Sequence, residues 1–274
     1  MKKLPRLNEY KILIFRILLA YFFYFVARIL FFIYNKNLIQ TDHFSDLFSM
    51  CYHGLVFDTT AILYLNMLFI VFSILPFGVN HTVKYQKFLF YVYIIPNLIG
   101  YATNFIDFIY YRFNFGRSTI AALDSVKHES NKWLLFVNFL GNYWHVFLLF
   151  FGISFLWIYL YKKIKVSFVV HPSRWMYFGT SVLAFLVAVT LVIGGIRGDF
   201  KYSTRPINLL DASRYVKNSS QADVILNTPF SLIRTMFSNN FKRMDFVDQA
   251  TIDSLVVPIK HYKNNPKSKM NVVI

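Results

Sequence analysis

The sequence has very few residues that could form covalent or metal cross-links. Its 274 residues include one cysteine, Cys51, so no disulfide can form within the chain. No spacing of cysteine and histidine is typical of a zinc site. Charged residues make up 15% of the chain, whereas they make up about a quarter of soluble domains. The sequence therefore excludes a disulfide-rich scaffold and a zinc module, and its charge content is too low for a soluble domain.

Acidic residues are especially scarce. The chain has 13 Asp and Glu residues against 29 Lys and Arg residues, which gives a formal net charge of +16. Such an excess can indicate nucleic-acid binding, but here the basic residues lie beside apolar segments rather than on one amphipathic face. We therefore expect no nucleic-acid partner. With 56% hydrophobic and 20% aromatic residues, the sequence predicts an all-α membrane protein.

Five apolar segments are long enough to cross a bilayer, which takes about twenty helical residues. They are Ile12–Tyr34, Leu55–Leu75, Phe88–Ile109, Tyr143–Tyr161 and Trp175–Ile196. The first has no small-residue cleavage site after it and is too long for a removable signal peptide. The apolar region before the fourth span predicts a separate interfacial helix over Trp133–Leu140, which breaks at Gly141 and Asn142.

The loop charges predict the orientation of the chain. Lys and Arg are concentrated at the N-terminus and in the loops after the second and fourth spans, which places these parts in the cytoplasm. An odd number of spans then puts everything after Arg197 outside the cytoplasmic membrane. The predicted organisation is a five-helix transmembrane domain over 1–196, an extracytoplasmic juxtamembrane linker over 197–270, and the first strand of a further domain over 271–274.

Three charged residues within the predicted spans are candidates for an intramembrane network, because an unpaired charge there costs about 2.5–3.5 kcal/mol on insertion scales. They are Arg28, Asp58 and Asp107, and the predicted orientation puts all three at similar depth in the outer half of the membrane. One hypothesis is that Arg28 pairs with Asp58 or with Asp107, and that Asn104 joins this network. The alternative is that each side chain reaches the interface independently, which suits the long Arg28 better than the short Asp58.

Two further polar residues, Asn66 and His145, are predicted near mid-membrane in the second and fourth spans. A hydrogen bond between helices, worth about 0.6 kcal/mol on average, explains them more simply than a proton relay. A transporter usually also has inverted repeats and broken helices, and the sequence shows no internal repeat. The polar residues of the spans therefore favour helix association over transport.

The segment that follows the third span is rich in aromatic residues and contains Arg112 and Arg117. An aromatic belt at the membrane interface would by itself produce such a pattern. The two arginines are also candidates for lipid-headgroup contact, because a guanidinium group matches phosphate oxygens in a bidentate manner. Both interpretations remain open from the sequence.

The polar tail contains one segment with a clear helical pattern. Thr228 is a suitable N-cap and Pro229 a suitable first helical residue. The apolar residues of the following turns share one face; they are Phe230, Ile233, Met236 and Phe237. This predicts an amphipathic helix on the membrane surface or under a following domain. The last residues, Asn271-Val272-Val273-Ile274, are typical of the start of a buried β-strand.

This order of parts resembles the N-terminal half of the lipoteichoic acid synthase family, which are sulfatase-like membrane enzymes. The resemblance includes the five spans, the aromatic loop from Asp107 to Arg117, the Arg205-Pro206 pair, the segment Leu226-Asn227-Thr228-Pro229-Phe230 and the final Asn271–Ile274. In that family the last phrase opens the catalytic sheet of an extracytoplasmic domain with the alkaline phosphatase fold. The resemblance covers nearly the whole chain.

The resemblance implies a role in transfer of a glycerol phosphate headgroup from phosphatidylglycerol, with a threonine nucleophile and a divalent metal in the following domain. None of those catalytic residues can be assigned here, and this chain alone is expected to be inactive. It would serve as the membrane anchor and linker, with Arg112, Arg117 and Arg205 as contacts for anionic lipid. Relatives transfer other headgroups or hydrolyse sulfate or phosphate esters. The alternative is an independent polytopic transporter or lipid-binding membrane protein.

Overall fold

The computed structural model describes residues 6–41, 43–76, 78–80, 82–127, 132–164, 174–201, 203, 205–236 and 251. All regular secondary structure in these residues is helical. The chain divides into two compact units, Met1–Ser238 and Asn239–Ile274. Almost all of the second unit lies outside the described residues, and so does the strand predicted over 271–274.

The first unit contains nine α-helices and one 3₁₀ helix among its described residues. In chain order these are α1 Leu7–Asn35, α2 Phe44–Ile74, α3 Val83–Asn114, α4 Ile120–Lys127, α5 Lys132–Asn142, α6 Trp144–Lys163, α7 Arg174–Arg197, the 3₁₀ helix Leu209–Tyr215, α8 Ser219–Ile225 and α9 Thr228–Thr235. Five of them, α1, α2, α3, α6 and α7, are long and apolar enough to cross a membrane. The predicted five-span architecture of a multi-pass membrane protein is therefore confirmed.

The helices extend beyond the predicted spans, most clearly at the start of α2. The prediction begins at Leu55, whereas the helix begins at Phe44. A capping box explains this early start, because the His43 side chain accepts from the backbone at Asp46 and the Asp46 carboxylate accepts from the His43 backbone N–H. With 31 residues, α2 is about 46 Å long and exceeds the hydrocarbon core of a bilayer by about 15 Å.

Aromatic side chains fill the space between α1, α3 and α6. The Phe23 ring stacks on the Trp157 indole with 4.6 Å between ring centroids, and Tyr101 meets the same indole edge to face. All three side chains are buried. The indole N–H of Trp157 donates to the hydroxyl of Tyr93, so the polar edge of this large ring is satisfied inside the bundle. This packing fixes α6 against α1 and α3.

The opposite edge of the bundle is held by a buried arginine. Arg6 donates to the carbonyl oxygens of Ser73 and Ile74 at the end of α2, and to the hydroxyl of Ser181 in α7. Its Nε also donates to Glu9. Arg6 thereby satisfies backbone groups that a helix C-terminus leaves without partners, and it links α7 to α2.

The region between α3 and α6 is more helical than predicted. The short helix expected over Trp133–Leu140 is present, but it runs from Lys132 to Asn142 and ends at a turn at Tyr143. The break thus comes one residue after the predicted break at Gly141 and Asn142. A further short helix, α4, precedes it and was not predicted.

The described part of the tail, residues 205–236, packs on the long helices. Asn227, not Thr228, is the N-cap of α9, since its side chain accepts from the backbone N–H of Phe230. Thr228, Pro229, Phe230 and Ser231 are all buried, and the Phe230 ring meets Phe57 of α2 edge to face. The predicted amphipathic helix exists, and its Phe230 packs on α2. Of the other residues on the predicted apolar face, Ile233 is half-buried, Met236 is exposed and Phe237 lies outside the described residues.

Candidate functional site

A cluster of buried polar side chains contacts the tail. Two of its members, Arg28 of α1 and Asp107 of α3, each lie seven residues before the last residue of their helix, which corresponds to about 10 Å of helical rise. We call this cluster the clasp. It consists of Arg28, Asp58, Asn104, Asp107, Arg117, Ser118, Asn227 and Thr228, all of which are buried. Between these side chains passes the backbone of residues 223–228, which comprises the end of α8, the two connecting residues Leu226 and Asn227, and the first residue of α9. The clasp therefore connects the first three helices to the tail.

The first half of the clasp is built on Arg28 of α1. Its guanidinium donates to the carbonyl oxygens of Val224 at 3.0 Å and Ile225 at 2.6 Å. The same group forms a buried ion pair with Asp58 of α2 and donates to the carbonyl oxygen of Gly54. One arginine thus satisfies two carbonyls at the end of α8, where a helix leaves its last carbonyls unpaired.

The second half of the clasp is built on Arg117, which follows α3. Its Nε donates to the carbonyl oxygen of Asp223 at 2.8 Å, and its Nη2 donates to that of Leu226 at 3.0 Å. The Arg117 guanidinium lies 3.6 Å from the ring centroid of Phe31 and forms an ion pair with Asp107. The two arginines together bind four consecutive carbonyls of the tail.

Side chains of the tail complete the coordination of both aspartates. The amide of Asn227 donates to Asp58 at 2.7 Å, and the hydroxyl of Thr228 donates to Asp107 at 2.6 Å. Asp107 also accepts from the backbone N–H and the hydroxyl of Ser118. Each carboxylate therefore has a cation and at least one neutral donor, which is what a buried charge requires.

Two small residues make room for this arrangement. A Cβ at Gly54 would overlap the guanidinium of Arg28, so only glycine leaves space for that side chain between α1 and α2. A Cβ at Gly100 of α3 would lie 3.4 Å from Pro229 and closer still to Leu65. The tail can therefore approach α3 closely because α3 has no side chain at this point.

Replacing Gly54 with Ala is expected to destabilise the protein by about 1–3 kcal/mol, the usual cost of overpacking. The added methyl group would displace the Arg28 guanidinium from its carbonyl and carboxylate partners. Unfolding in detergent, followed by helical circular dichroism, measures the change. The matched control is Gly152→Ala in α6, where nothing lies within 4 Å of the new Cβ. That change should be neutral or slightly stabilising, because alanine is the better helix former. Equal effects at both positions would contradict the steric explanation.

Asp223 adds a titratable group beside the clasp. Burial raises the pKa of its carboxyl to about 6, although the positive charge of Arg117 and a hydrogen bond from Tyr111 oppose this shift. Because the folded state favours the neutral form, the contribution of this group to stability is present at acidic pH and is lost as the pH rises through about 6. Arg117 binds the backbone carbonyl oxygen of Asp223, so this contact does not depend on whether the Asp223 carboxyl is protonated.

The structure resolves the alternatives left open for the intramembrane charges. Arg28 pairs with Asp58 and not with Asp107, whose cation is Arg117. Asn104 joins the cluster through the tail, since its side-chain oxygen accepts from the backbone N–H of Thr228 at 3.1 Å. Arg28 is buried, so it does not reach the interface independently.

The three candidates for lipid-headgroup contact have different surroundings. Arg117 is buried, and its guanidinium N–H groups donate to carbonyl oxygens of the tail. Its assignment as a lipid-headgroup contact is therefore corrected, because it binds the tail instead. Arg205 is largely exposed and donates to Asp211. Arg112 is exposed and donates to the carbonyl oxygen of Tyr34. Of the three, the structure gives only Arg117 a fully buried role.

Both polar residues predicted near mid-membrane form hydrogen bonds between helices. Asn66 of α2 exchanges two amide hydrogen bonds with Asn97 of α3, at 3.1 and 2.7 Å. His145 lies 3.1 Å from the hydroxyl of Tyr34 in α1. His145, however, is in the first turn of α6, so its predicted position near mid-membrane is wrong.

Several residues with buried hydrogen bonds were not predicted from the sequence. Arg16 is buried within α1, with both terminal nitrogens donating to Gln86 and its guanidinium 4.2 Å from the ring centroid of Tyr161. It lies inside the first predicted span, so its charge alone was a sufficient signal. Ser118 and Asn227 gave no such signal, because short polar residues in loops are common and their partners are distant in sequence.

The described residues include no group of three or more His, Cys, Asp or Glu side chains that could hold a metal ion. Comparisons with protein-family models, with curated proteins and with solved structures gave no match. The resemblance to the lipoteichoic acid synthase family thus stays a prediction, and the clasp is the feature on which a function can be argued.

Proposed function

We propose that this chain is a membrane scaffold that binds its own tail and thereby anchors the polypeptide that follows to the helix bundle. The observation that carries the proposal is the clasp. Two buried ion pairs and the four carbonyls of residues 223–226 fix the tail to α1, α2 and α3. A flexible tether would need none of these contacts.

The family resemblance extends this proposal to a specific role. The held polypeptide would be a metal-dependent, sulfatase-like domain that transfers phospholipid headgroups at the outer face of the cytoplasmic membrane. The chain would then be the anchor and linker of a transferase or related hydrolase, with its N-terminus in the cytoplasm and its tail outside. An anchor of this kind suits such an enzyme, because attachment to the bundle keeps the catalytic domain close to its lipid substrate.

The scaffold role can be tested by cutting the chain between the 3₁₀ helix and α8. A site-specific protease sequence is inserted after the exposed Lys217, and the purified protein is cleaved in mild detergent. We expect the fragment that begins at Asn218 to remain bound to the helices through gel filtration, since it retains the contacts of Arg28 and Arg117. Separation of the fragment from an otherwise folded bundle would overturn the scaffold proposal.

The enzymatic extension has its own test. If the reading frame continues past codon 274 into apolar strand residues and an acidic residue, the longer product should transfer headgroups in a metal-dependent reaction. The 274-residue chain should show no turnover in the same vesicles. Transfer by the short chain would refute the assignment of the chemistry to a following domain. An independent transporter or lipid-binding protein, the alternative, would instead be supported by a stop codon and an inactive product.

A further inference from the structure

We infer that a small pocket beside Arg16, near the N-terminal end of α1, binds a chloride ion as the counter-ion of this buried arginine. The pocket has a volume of about 20 Å³. It lies between α1, the end of α2 and the start of α3, and its polar lining residues are Glu9, Arg16, Ser73 and Gln86. The site does not depend on the clasp or on the proposed scaffold role.

Arg16 differs from the other buried arginines in the described part of the chain. Each of the others forms an ion pair with a carboxylate. These pairs are Arg6 with Glu9, Arg28 with Asp58 and Arg117 with Asp107. Arg16 is only 5% exposed, yet it forms no ion pair with any described residue. A buried charge requires a partner of opposite charge, so the fold leaves this one cation without its compensation.

The Arg16 guanidinium has donors left for a ligand. It has five N–H groups, and two of them donate to the neutral amide oxygen of Gln86, each at 3.2 Å. The other N–H groups have no acceptor among the described residues, and Nε is one of these. The Tyr161 ring, whose centroid lies 4.2 Å from Arg16 Cζ, attracts the cation through its π-system but supplies no net negative charge.

The charge around the pocket favours an anion although a carboxylate also lines it. That carboxylate, on Glu9, accepts from Arg6 at 2.8 Å and from the Asn80 amide at 3.3 Å. Arg6, Glu9 and Arg16 together carry one net positive charge, which one monovalent anion neutralises. The apolar lining residues are Ile12, Leu13 and Leu89. They exclude water from one side of the pocket, and the lower local dielectric strengthens the attraction.

The size of the pocket selects a monatomic anion. A cavity needs about 10–15 Å³ to hold a water molecule, so a volume of about 20 Å³ accommodates one particle of similar size. Chloride is only slightly larger than water, whereas phosphate, sulfate and carboxylate groups have several heavy atoms and exceed the space. Because three helices form the pocket, a bound chloride ion would stabilise their contact at this end of the bundle.

Chloride NMR of the purified 274-residue chain in detergent tests the site directly, because exchange with a protein-bound ion broadens the signal of free chloride. We expect excess line width that bromide removes by competition and that sulfate at equal ionic strength does not remove. Arg16→Gln should weaken chloride binding about tenfold or more, since it removes a charge-assisted hydrogen bond. Lys11→Gln, the matched control, removes an exposed charge from the same helix and should leave the line width unchanged.

Thermal unfolding followed by intrinsic fluorescence gives a second measurement. Sodium chloride replaces sodium gluconate at constant ionic strength, and gluconate is too large for the pocket. Once the site is saturated, the folding equilibrium constant should rise in proportion to the chloride concentration. The unmodified chain and Lys11→Gln should show this dependence, and Arg16→Gln should not. A purely structural role of Arg16 would lower stability in the variant without producing any chloride dependence in the unmodified chain.

The opposite results overturn the inference. Broadening that sulfate abolishes, or that Lys11→Gln reduces as much as Arg16→Gln does, would show diffuse attraction of anions to a basic protein. Excess line width that persists in Arg16→Gln would place the ion elsewhere. If Arg16→Gln does not fold, Arg16→Lys replaces it; this variant keeps the positive charge and should retain chloride binding, and loss of binding there contradicts the site. None of these results changes the tail-retention experiment, so the two proposals are judged separately.

Discussion

Replacing Asp107 with Ala is expected to destabilise the protein by about 3–5 kcal/mol, the usual cost of breaking a buried ion pair. The change leaves the buried Arg117 guanidinium without its carboxylate and removes the acceptor for the Ser118 and Thr228 hydroxyls. It should also release the cleaved tail fragment in the retention experiment. Unfolding in mixed micelles and gel filtration of the cut protein measure the two effects.

Two comparison variants make this prediction specific. Asp46→Asn alters a carboxylate in the first turn of α2 that accepts from a backbone N–H, and it should cost only about 1 kcal/mol. The double variant Asp107→Leu with Arg117→Met removes both charges at once. It should be less destabilised than the sum of its single variants, because no charge is left buried without a partner. Strict additivity would show that the two residues do not act as a pair.

Replacing Arg28 with Gln should have an effect of similar size, about 3–5 kcal/mol. The carboxylate of Asp58 would lose its cation, and the carbonyl oxygens of Val224 and Ile225 would lose their donor in a buried environment. Because the lost partners belong to both α2 and the tail, the variant should fail to retain the cleaved fragment even where the bundle itself remains folded. Retention can be scored at a temperature below the unfolding midpoint of the variant.

The control for Arg28 is an ion pair in the same tail whose arginine is exposed. Arg214 forms an ion pair with Asp211 while 66% of its own side chain is exposed, and ion pairs made by exposed side chains contribute about 0–1 kcal/mol. Arg214→Gln should therefore leave both stability and fragment retention nearly unchanged. If Arg214→Gln released the fragment as readily as Arg28→Gln, retention would depend on the overall charge of the tail rather than on the clasp.

The long helices could be predicted because their signal is local and repeated. A run of about twenty apolar residues is the length that a helix needs to cross the hydrocarbon core of a bilayer. All five helices predicted on this basis are present. Their ends could not be predicted as well. The start of α2 depends on a capping box at His43 and Asp46, and the helix runs through polar residues that no apolar window includes.

The intramembrane charges could be identified as a network, but their pairing could not be derived. Asp58 and Asp107 fall at similar predicted depth, so depth alone did not show which one binds Arg28. The decisive residue was Arg117, which the sequence places in an aromatic loop typical of an interface. Its partners Asp223 and Leu226 are more than 100 positions away, and hydropathy carries no information about contacts at such separation.

The tail was the least predictable part, for a physical reason. Residues 223–226 are bound through their carbonyl oxygens, which every residue type possesses. No motif marks a backbone contact, so the tail appeared to be a linker. The side chains that do give a signal, Asn227 and Thr228, suggested a helix start, which was displaced by one residue from the observed N-cap.

The separation of 197 positions between Arg28 and Ile225 has a consequence for biosynthesis. When α1 and α2 enter the membrane, the ribosome has not yet made the residues whose carbonyls will bind Arg28. Asp58 is then the partner available to that cation. The α1–α2 hairpin must therefore insert while the Arg28 N–H groups that will later bind Val224 and Ile225 have no tail carbonyl to donate to. Final assembly waits until residue 228 has emerged, because Thr228 is the last clasp residue in the chain. A nascent chain stopped before that point would expose the half-formed site to quality-control proteases, so degradation of shortened products should fall sharply once the tail is complete.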